Sequence, residues 1–227
     1  MQAPMCTGFP SIRPPGARHV DPARRRELLA GLRDLVLAVG FTQAGMDDLA
    51  ARLQCSKSTL YAIAAGKVPL VAMTLREFFD EVHADVDKLV AELTDPVEAI
   101  TTYLTVLGGR LRRLSPACYT DIMAYGLTRD VYLAHSLAVA FRLREHIDQG
   151  VRTGIFRPLH TPFLTEAVNL TLDGIQEGDL LVRAGLSPAG AYLQLRDLLV
   201  ATLTNTGYRR PAGPDHRNHQ EQRACDQ

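Results

Sequence analysis

Along most of the chain, apolar residues recur every three to four positions and polar ones fill the other face, which is the period of an α-helix. Leu28, Leu32, Leu35, Val36 and Val39 form one such stripe, and Leu49, Ala50, Leu60 and Ile63 supply the inward positions of two shorter segments. The breaks between stripes carry their own chemistry. Asp21-Pro22, Asp95-Pro96, Ser115-Pro116, Thr161-Pro162 and Ser187-Pro188 each place a capping oxygen directly before a proline. The oxygen accepts from an orphan N–H of the first turn, and proline has no N–H to lose there, so each pair reads as a helix start. Gly40, Gly154, Gly185 and Gly207 follow apolar runs as helix stops. These signals predict helices over 22–39, 46–53, 57–65, 69–93, 96–113, 116–126, 129–153, 162–184 and 188–206. No stretch alternates as a strand does, so the expected fold is all-α.

The expected organisation is a disordered arm over 1–20, a three-helix head over 21–68, a helical bundle over 69–207 and a disordered polar tail over 208–227. At 227 residues the chain is long enough to bury a substantial core. Its net charge of zero hides an asymmetry. Residues 1–76 hold 10 Lys+Arg against 5 Asp+Glu, whereas residues 77–207 hold 11 against 17. A basic front on an acidic body suits a module that binds a polyanion attached to one that does not. The first residues lack the apolar run of a secretory signal, and no apolar stretch reaches the eighteen residues of a membrane span, so a cytoplasmic protein with no membrane partner is expected. Cys6, Cys55, Cys118 and Cys225 lie too far apart for a zinc site or a disulfide framework and read as free thiols.

The segment from Gly40 to Tyr61 narrows the function. Two short helices joined by a tight turn form the layout of a DNA-reading helix-turn-helix, in which a compact core leaves the second helix exposed along its outer side. Ser56 is placed to cap that second helix, with Lys57, Ser58, Thr59 and Tyr61 outward. Lys57 brings a charge for phosphate, and the three hydroxyls can bond phosphates or base edges.

Gly40-Phe41, Asp48-Leu49-Ala50 and Ser56-Lys57 followed by Thr59-Leu60-Tyr61 resemble the head of the tetracycline-repressor (TetR) family of bacterial transcriptional regulators. The match covers roughly residues 24–70. By that resemblance the chain is a regulator with a helix-turn-helix head and a ligand-binding, dimerising bundle. It binds double-stranded DNA at a palindromic operator as a homodimer, most often as a repressor released by a small-molecule effector. Lys57, Ser58, Thr59 and Tyr61 then belong to the recognition helix, Lys67 holds a phosphate, and Thr42, Gly45 and Ser56 complete the expected DNA-binding set. Three positions depart from the family pattern. Gly45 stands where a hydroxyl usually caps the second helix, leaving Gly45 backbone geometry or Thr42 to serve. Gln54 replaces the turn glycine, and the aromatic pair after Tyr61 is absent.

The last two long helices are apolar over a wide arc, and the resemblance assigns them to dimerisation through Val168, Leu172, Ile175, Leu195, Leu199 and Leu203. The preceding helices then enclose an effector pocket, for which Tyr103, Leu107, Tyr119, Met123, Tyr125, Phe141 and Asn169 offer apolar walls with polar handles. Neither metal nor cofactor is expected. Asp80, His83 and Asp87 share a helix face that could ligate a metal but reads as a solvated acidic face, and His216 and His219 read as incidental. Gly108 to Arg113 lacks the ending of a phosphate loop, and neither Glu-x-x-His pairs nor a nucleophile elbow appear, so no enzyme is expected. Two other readings stay open: an all-α ligand-binding or catalytic protein whose helix-turn-helix is only scaffold, and a constitutive DNA-binding regulator without an effector.

Overall fold

The computed structural model describes residues 20–204. The arm and tail expected at the two ends, with Gly207, His216 and His219, lie outside the described residues apart from residue 20. Ten helices follow one another: α1 Pro22–Val39, α2 Met46–Arg52, α3 Lys57–Ile63, α4 Lys67–Val90, α5 Pro96–Leu111, α6 Pro116–Ala124, α7 Gly126–Arg152, α8 Thr161–Glu177, α9 Asp179–Ala184 and α10 Pro188–Thr204. Among the described residues there is no strand.

Most of the capping chemistry operates as the dipeptides imply. Asp21 accepts from the N–H groups of Ala23 and Arg24, Asp95 from Val97, Ser115 from Cys118 and Ser187 from Gly190. Thr161 differs. It is the first helical residue of α8 and is buried, while the cap is His160, whose Nδ1 accepts from the Phe163 N–H at 3.1 Å. An imidazole nitrogen serves as acceptor there as well as a hydroxyl would, and it leaves Thr161 to the core. Gly40, Gly154 and Gly185 all take positive φ as stops. So does Gly178, at φ 89°, which divides the single helix expected over 162–184 into α8 and α9.

One continuous apolar cluster runs from α1 to the end of α10, so the head and the body share a core rather than owning separate ones. α4 runs through its middle, packed against α1, α5 and α7 and burying Leu70, Val71, Leu75, Phe78, Phe79, Val82 and Val86. Each such side chain contributes about 1.5–3 kcal/mol of transfer free energy. α5 in turn lies against α4, α7 and α10. Gly108 on α5 has a structural use: a Cβ there would meet the Tyr192 ring of α10 at 2.5 Å, so the bare backbone admits the aromatic.

The residues expected to form the dimer contact lie inside the protomer instead. Val168, Leu172, Ile175, Leu195, Leu199 and Leu203 are all buried in the body's own core. The other side of the same helices is the unsatisfied one, with Phe163 74% and Leu170 65% exposed on α8 and Leu198 66% exposed on α10. A helix apolar all round needs cover on both sides, and the protomer covers only one.

Candidate nucleic-acid interface

The second helix of the head begins without a hydroxyl cap. Gly45 is extended, and its N–H is taken by the Asp48 carboxylate reaching back from the first turn at 2.9 Å. That is one half of a capping box, added to the N-cap that Gly45 forms by its own extended backbone. α2 ends in a Schellman turn: Cys55 N–H bonds Ala50 O, and Gln54 N–H bonds Ala51 O. The closing position belongs to Gln54 at φ 49°, the one described non-glycine residue with positive φ. A left-handed non-glycine residue costs on the order of 1 kcal/mol. The Gln54 carbonyl accepts from Arg24 Nη2 on α1 at 3.1 Å, which holds the turn against the scaffold helix.

Ser56 caps α3, its Oγ accepting from the Thr59 N–H at 3.1 Å and lying 2.8 Å from both the Ser58 and Thr59 hydroxyls. Leu60 is buried beneath, while Lys57, Ser58 and Tyr61 are exposed and Thr59 is half-buried. Lys57 Nζ is 2.8 Å from Asp47 on α2. The hydrogen bond to that carboxylate holds the ammonium above its ordinary pKa, so Lys57 stays charged. The pair is exposed on both sides and contributes little to stability. It therefore remains exchangeable for a phosphate.

Lys67 is engaged otherwise than expected. Its three ammonium donors go to the carbonyls of Phe41, Thr42 and Ala44 at 3.1, 3.0 and 3.0 Å, which uses its whole donor capacity on the loop between α1 and α2. The same loop is gripped from the other side. Asp121 on α6 accepts from the N–H groups of Phe41 at 2.5 Å and Thr42 at 2.7 Å. Burial raises its pKa, but the hydrogen bonds from Thr42 and Phe41 and the Lys67 charge outweigh that, so the carboxyl sits below its ordinary range. Gly40, at φ 78°, leaves room for this contact. A Cβ at Gly40 would stand 2.5 Å from Asp121 Oδ2.

The chain lacks a matching family model and a matching curated relative. Solved structures do match. A transcriptional regulator from Saccharomonospora viridis in complex with choline superposes with a TM-score of 0.71 at 19% identity, over 82% of this chain and 100% of that one. The fatty acid degradation regulator FadR from Bacillus halodurans gives 0.67 at 15%, over 86% and 100%. A TetR-family regulator from Agrobacterium tumefaciens gives 0.67 at 16%, over 81% and 98%. The fold is that of the TetR-family regulators.

Within this TetR-type body the expected pocket residues do not share one wall. Tyr103 and Leu107 are buried in the α5 core, with the Tyr103 hydroxyl donating to Val139 O at 3.4 Å. Tyr119 stands edge-on to Tyr132, ring centroids 5.2 Å apart. The Tyr125 ring faces Phe41 of the head at 5.5 Å, and Met123 is half-buried beside the core. Phe141 is on the outer face of α7, 63% exposed, because the inner positions of that helix are taken by Val139 and Leu143. Asn169 is half-buried with its side-chain oxygen unpartnered. A cleft of about 400 Å³ opens elsewhere, between α4 and α7, lined by Arg76, Phe79, Asp80, His83, Asp130 and His135 among others. His135 stacks on Phe79 at 4.2 Å, and its Nδ1 lies 3.1 Å from His83 Nε2. Burial, with His83 and Arg142 nearby, pushes His135 down to about 3, so it is neutral at physiological pH. Asp87 leaves the face it shares with Asp80 and His83 to pair with Arg142 at 2.8 Å. Among the described residues no group of three or more His, Cys, Asp or Glu is placed to hold a metal ion. No single described helix is long and apolar enough to cross a membrane.

Proposed function

We propose that the chain is a DNA-binding transcriptional regulator that reads a palindromic operator as a homodimer, as a repressor released by a small molecule. The observation that carries this is α3: a helix capped by Ser56 and seated on Leu60, presenting Lys57, Ser58 and Tyr61 outward from a TetR-type fold. Lys57 supplies phosphate attraction, and the hydroxyls supply base-edge or phosphate hydrogen bonds. A head with one seven-residue reading helix binds weakly by itself. A second copy, docked on the outward face of α8 and α10 at Phe163, Leu170, Leu193 and Leu198, gives two heads and covers an apolar surface the protomer leaves open.

The effector site of this reading is the cleft between α4 and α7, since a ligand wedged there presses on the helix that enters the head. The similar S. viridis regulator holds choline, and small organic molecules of that size class fit a cleft of about 400 Å³. A ligand preferring the arrangement that cannot bind DNA must weaken DNA affinity by the same coupling. A regulator without an effector is favoured by one observation, the dense packing of Tyr103, Leu107 and Tyr119 in the body.

Selection from random duplexes tests the main reading. It should recover a two-fold symmetric sequence bound with a steep salt dependence, and Lys57→Ala should weaken binding to all sequences while flattening the salt slope by about one unit. Ser58→Ala should instead relax the preferred sequence, with a base contact worth about 1–3 kcal/mol. A well-folded protein that enriches no sequence would sink the proposal. A thermal-shift screen of small amines and aromatics separates the effector-responsive regulator from the constitutive one.

A further inference from the structure

We infer that Asp47 is a built-in rival of the DNA phosphate for Lys57, so that the head binds DNA less tightly than its reading helix would allow alone. The inference rests on the proposed DNA-binding function and adds to it the residue that holds its affinity down. Lys57 is the one charged residue of α3. Its ammonium lies 2.8 Å from Asp47 Oδ2 on α2, a contact between residues ten apart that forms only when the two helices fold together. The Asp47 side chain is 77% exposed and, among the described residues, bonds Lys57 alone. Its neighbour Asp48 is used differently, turned back onto the Gly45 N–H at 2.9 Å.

The charge of the whole motif points the same way. From Met46 to Ile63 the charged residues are Asp47, Asp48, Arg52 and Lys57, two of each sign. The basic excess at the front of the chain therefore lies outside the helix-turn-helix, and with Asp47 in place the reading edge offers a phosphate a neutral pair. Contact is still open to it. Lys57 spends one of its three ammonium donors on Asp47, whereas Lys67 spends all three on carbonyls. A phosphate at contact distance can take the free donors, but the carboxylate must then leave for water or stay beside a second anion. Binding either gives up the ion pair or bears the repulsion. Such a brake suits a regulator that a ligand must release, because coupling between sites is typically worth only about 5–150-fold.

Titration of the whole chain with the duplex recovered by selection, at several salt concentrations, tests the inference. Asp47→Asn should bind about tenfold more tightly at about 50 mM salt, with about threefold from each of two heads, and the gain should fall to about threefold at about 200 mM. Asp47→Glu, which keeps a carboxylate within reach of Lys57, should bind as wild type does. The effect must run through Lys57: in a Lys57→Ala background at about 50 mM salt, Asp47→Asn should gain no more than about threefold. Glu92→Gln, which removes an exposed charge just past the end of α4, should change affinity by less than about twofold. A purely structural role for Asp47 at the start of α2 would instead lower the melting temperature and leave affinity unchanged or reduced. That result, or an equal gain with and without Lys57, overturns the inference alone. Selection that enriches no sequence overturns the proposed function, and the inference with it.

Discussion

The two functional parts of the head are built in opposite ways. The reading helix α3 is local: its cap, hydroxyl contacts and ion pair all lie within residues 47–61, and its outward side chains bond only one another or Asp47. The loop over 40–44 is long-range, its peptide groups tied to Lys67, more than twenty residues on, and to Asp121, about eighty residues on. In the proposed reading, α3 is a surface that exchanges its partners for DNA, and it is held by weak, exposed contacts. The joint that would keep that surface aimed is held by charge-assisted contacts, three of the five partly buried, and such bonds are roughly twice as strong as neutral ones.

The difference predicts where substitutions hurt stability and where they hurt only binding. The largest loss should come from Gly40→Ala, because a side chain at φ 78° is strained and its Cβ meets the Asp121 carboxylate. About 1–3 kcal/mol should be lost in urea titration. A loss within experimental error would mean that the joint is loose and the comparison false. Ser56→Ala comes next, costing about 1 kcal/mol for the lost cap, and it should change sequence preference too, since the Ser58 and Thr59 hydroxyls lose the oxygen that orients them.

A third variant, Asp121→Asn, sharpens the account through pH. The folded carboxyl sits below its ordinary value, so the stability it contributes is present above the unfolded-state pKa and is lost as pH falls through the lower folded-state one. The difference between wild type and Asp121→Asn should therefore stay constant from pH 8 to about 5 and shrink only in more acidic solution. A difference that vanished between pH 7 and 6 would point to a histidine instead. Smallest are the changes on the reading edge. Lys57→Ala should move stability by less than about 0.5 kcal/mol while weakening DNA binding, and Gln54→Gly should stabilise by at most about 1 kcal/mol as the left-handed turn loses its strain. Chemical denaturation resolves both, and a destabilised Gln54→Gly would show that its side chain, not only its backbone, matters.

The same division explains what could be read in the sequence. Caps and stops are contacts between near neighbours, so Asp21, Asp95, Ser115, Ser56 and Gly40 announced α1, α5, α6 and α3 directly. Gln54 was legible as a departure for the same reason, since a Schellman turn demands its left-handed residue at a fixed place. Gly178 was not, because an isolated glycine amid helical spacing looks like any other interior residue until the chain bends there. Asp121 is one of many acids in the body, and no spacing links it to residues some eighty positions earlier. Lys67 was expected to hold a phosphate and is instead bonded to three loop carbonyls, because a charge in a sequence does not reveal which acceptors receive it. α8 and α10 show why periodicity alone does not choose a face: it marks an apolar arc, and nothing in the arc says which side the protomer fills itself, which here is the side of Val168, Leu172 and Leu199.

The central claim is that two copies of this head, joined through α8 and α10, read one duplex together. Varying the spacing between the two halves of the selected sequence tests it most directly. Inserting about five base pairs, half a helical turn, moves the second half-site to the opposite face of the duplex. Affinity should then fall by about a hundredfold or more, to that of a single half-site, with partial recovery at about ten inserted pairs. Affinity indifferent to the insertion would show that each head binds alone, and the paired reader would have to be abandoned.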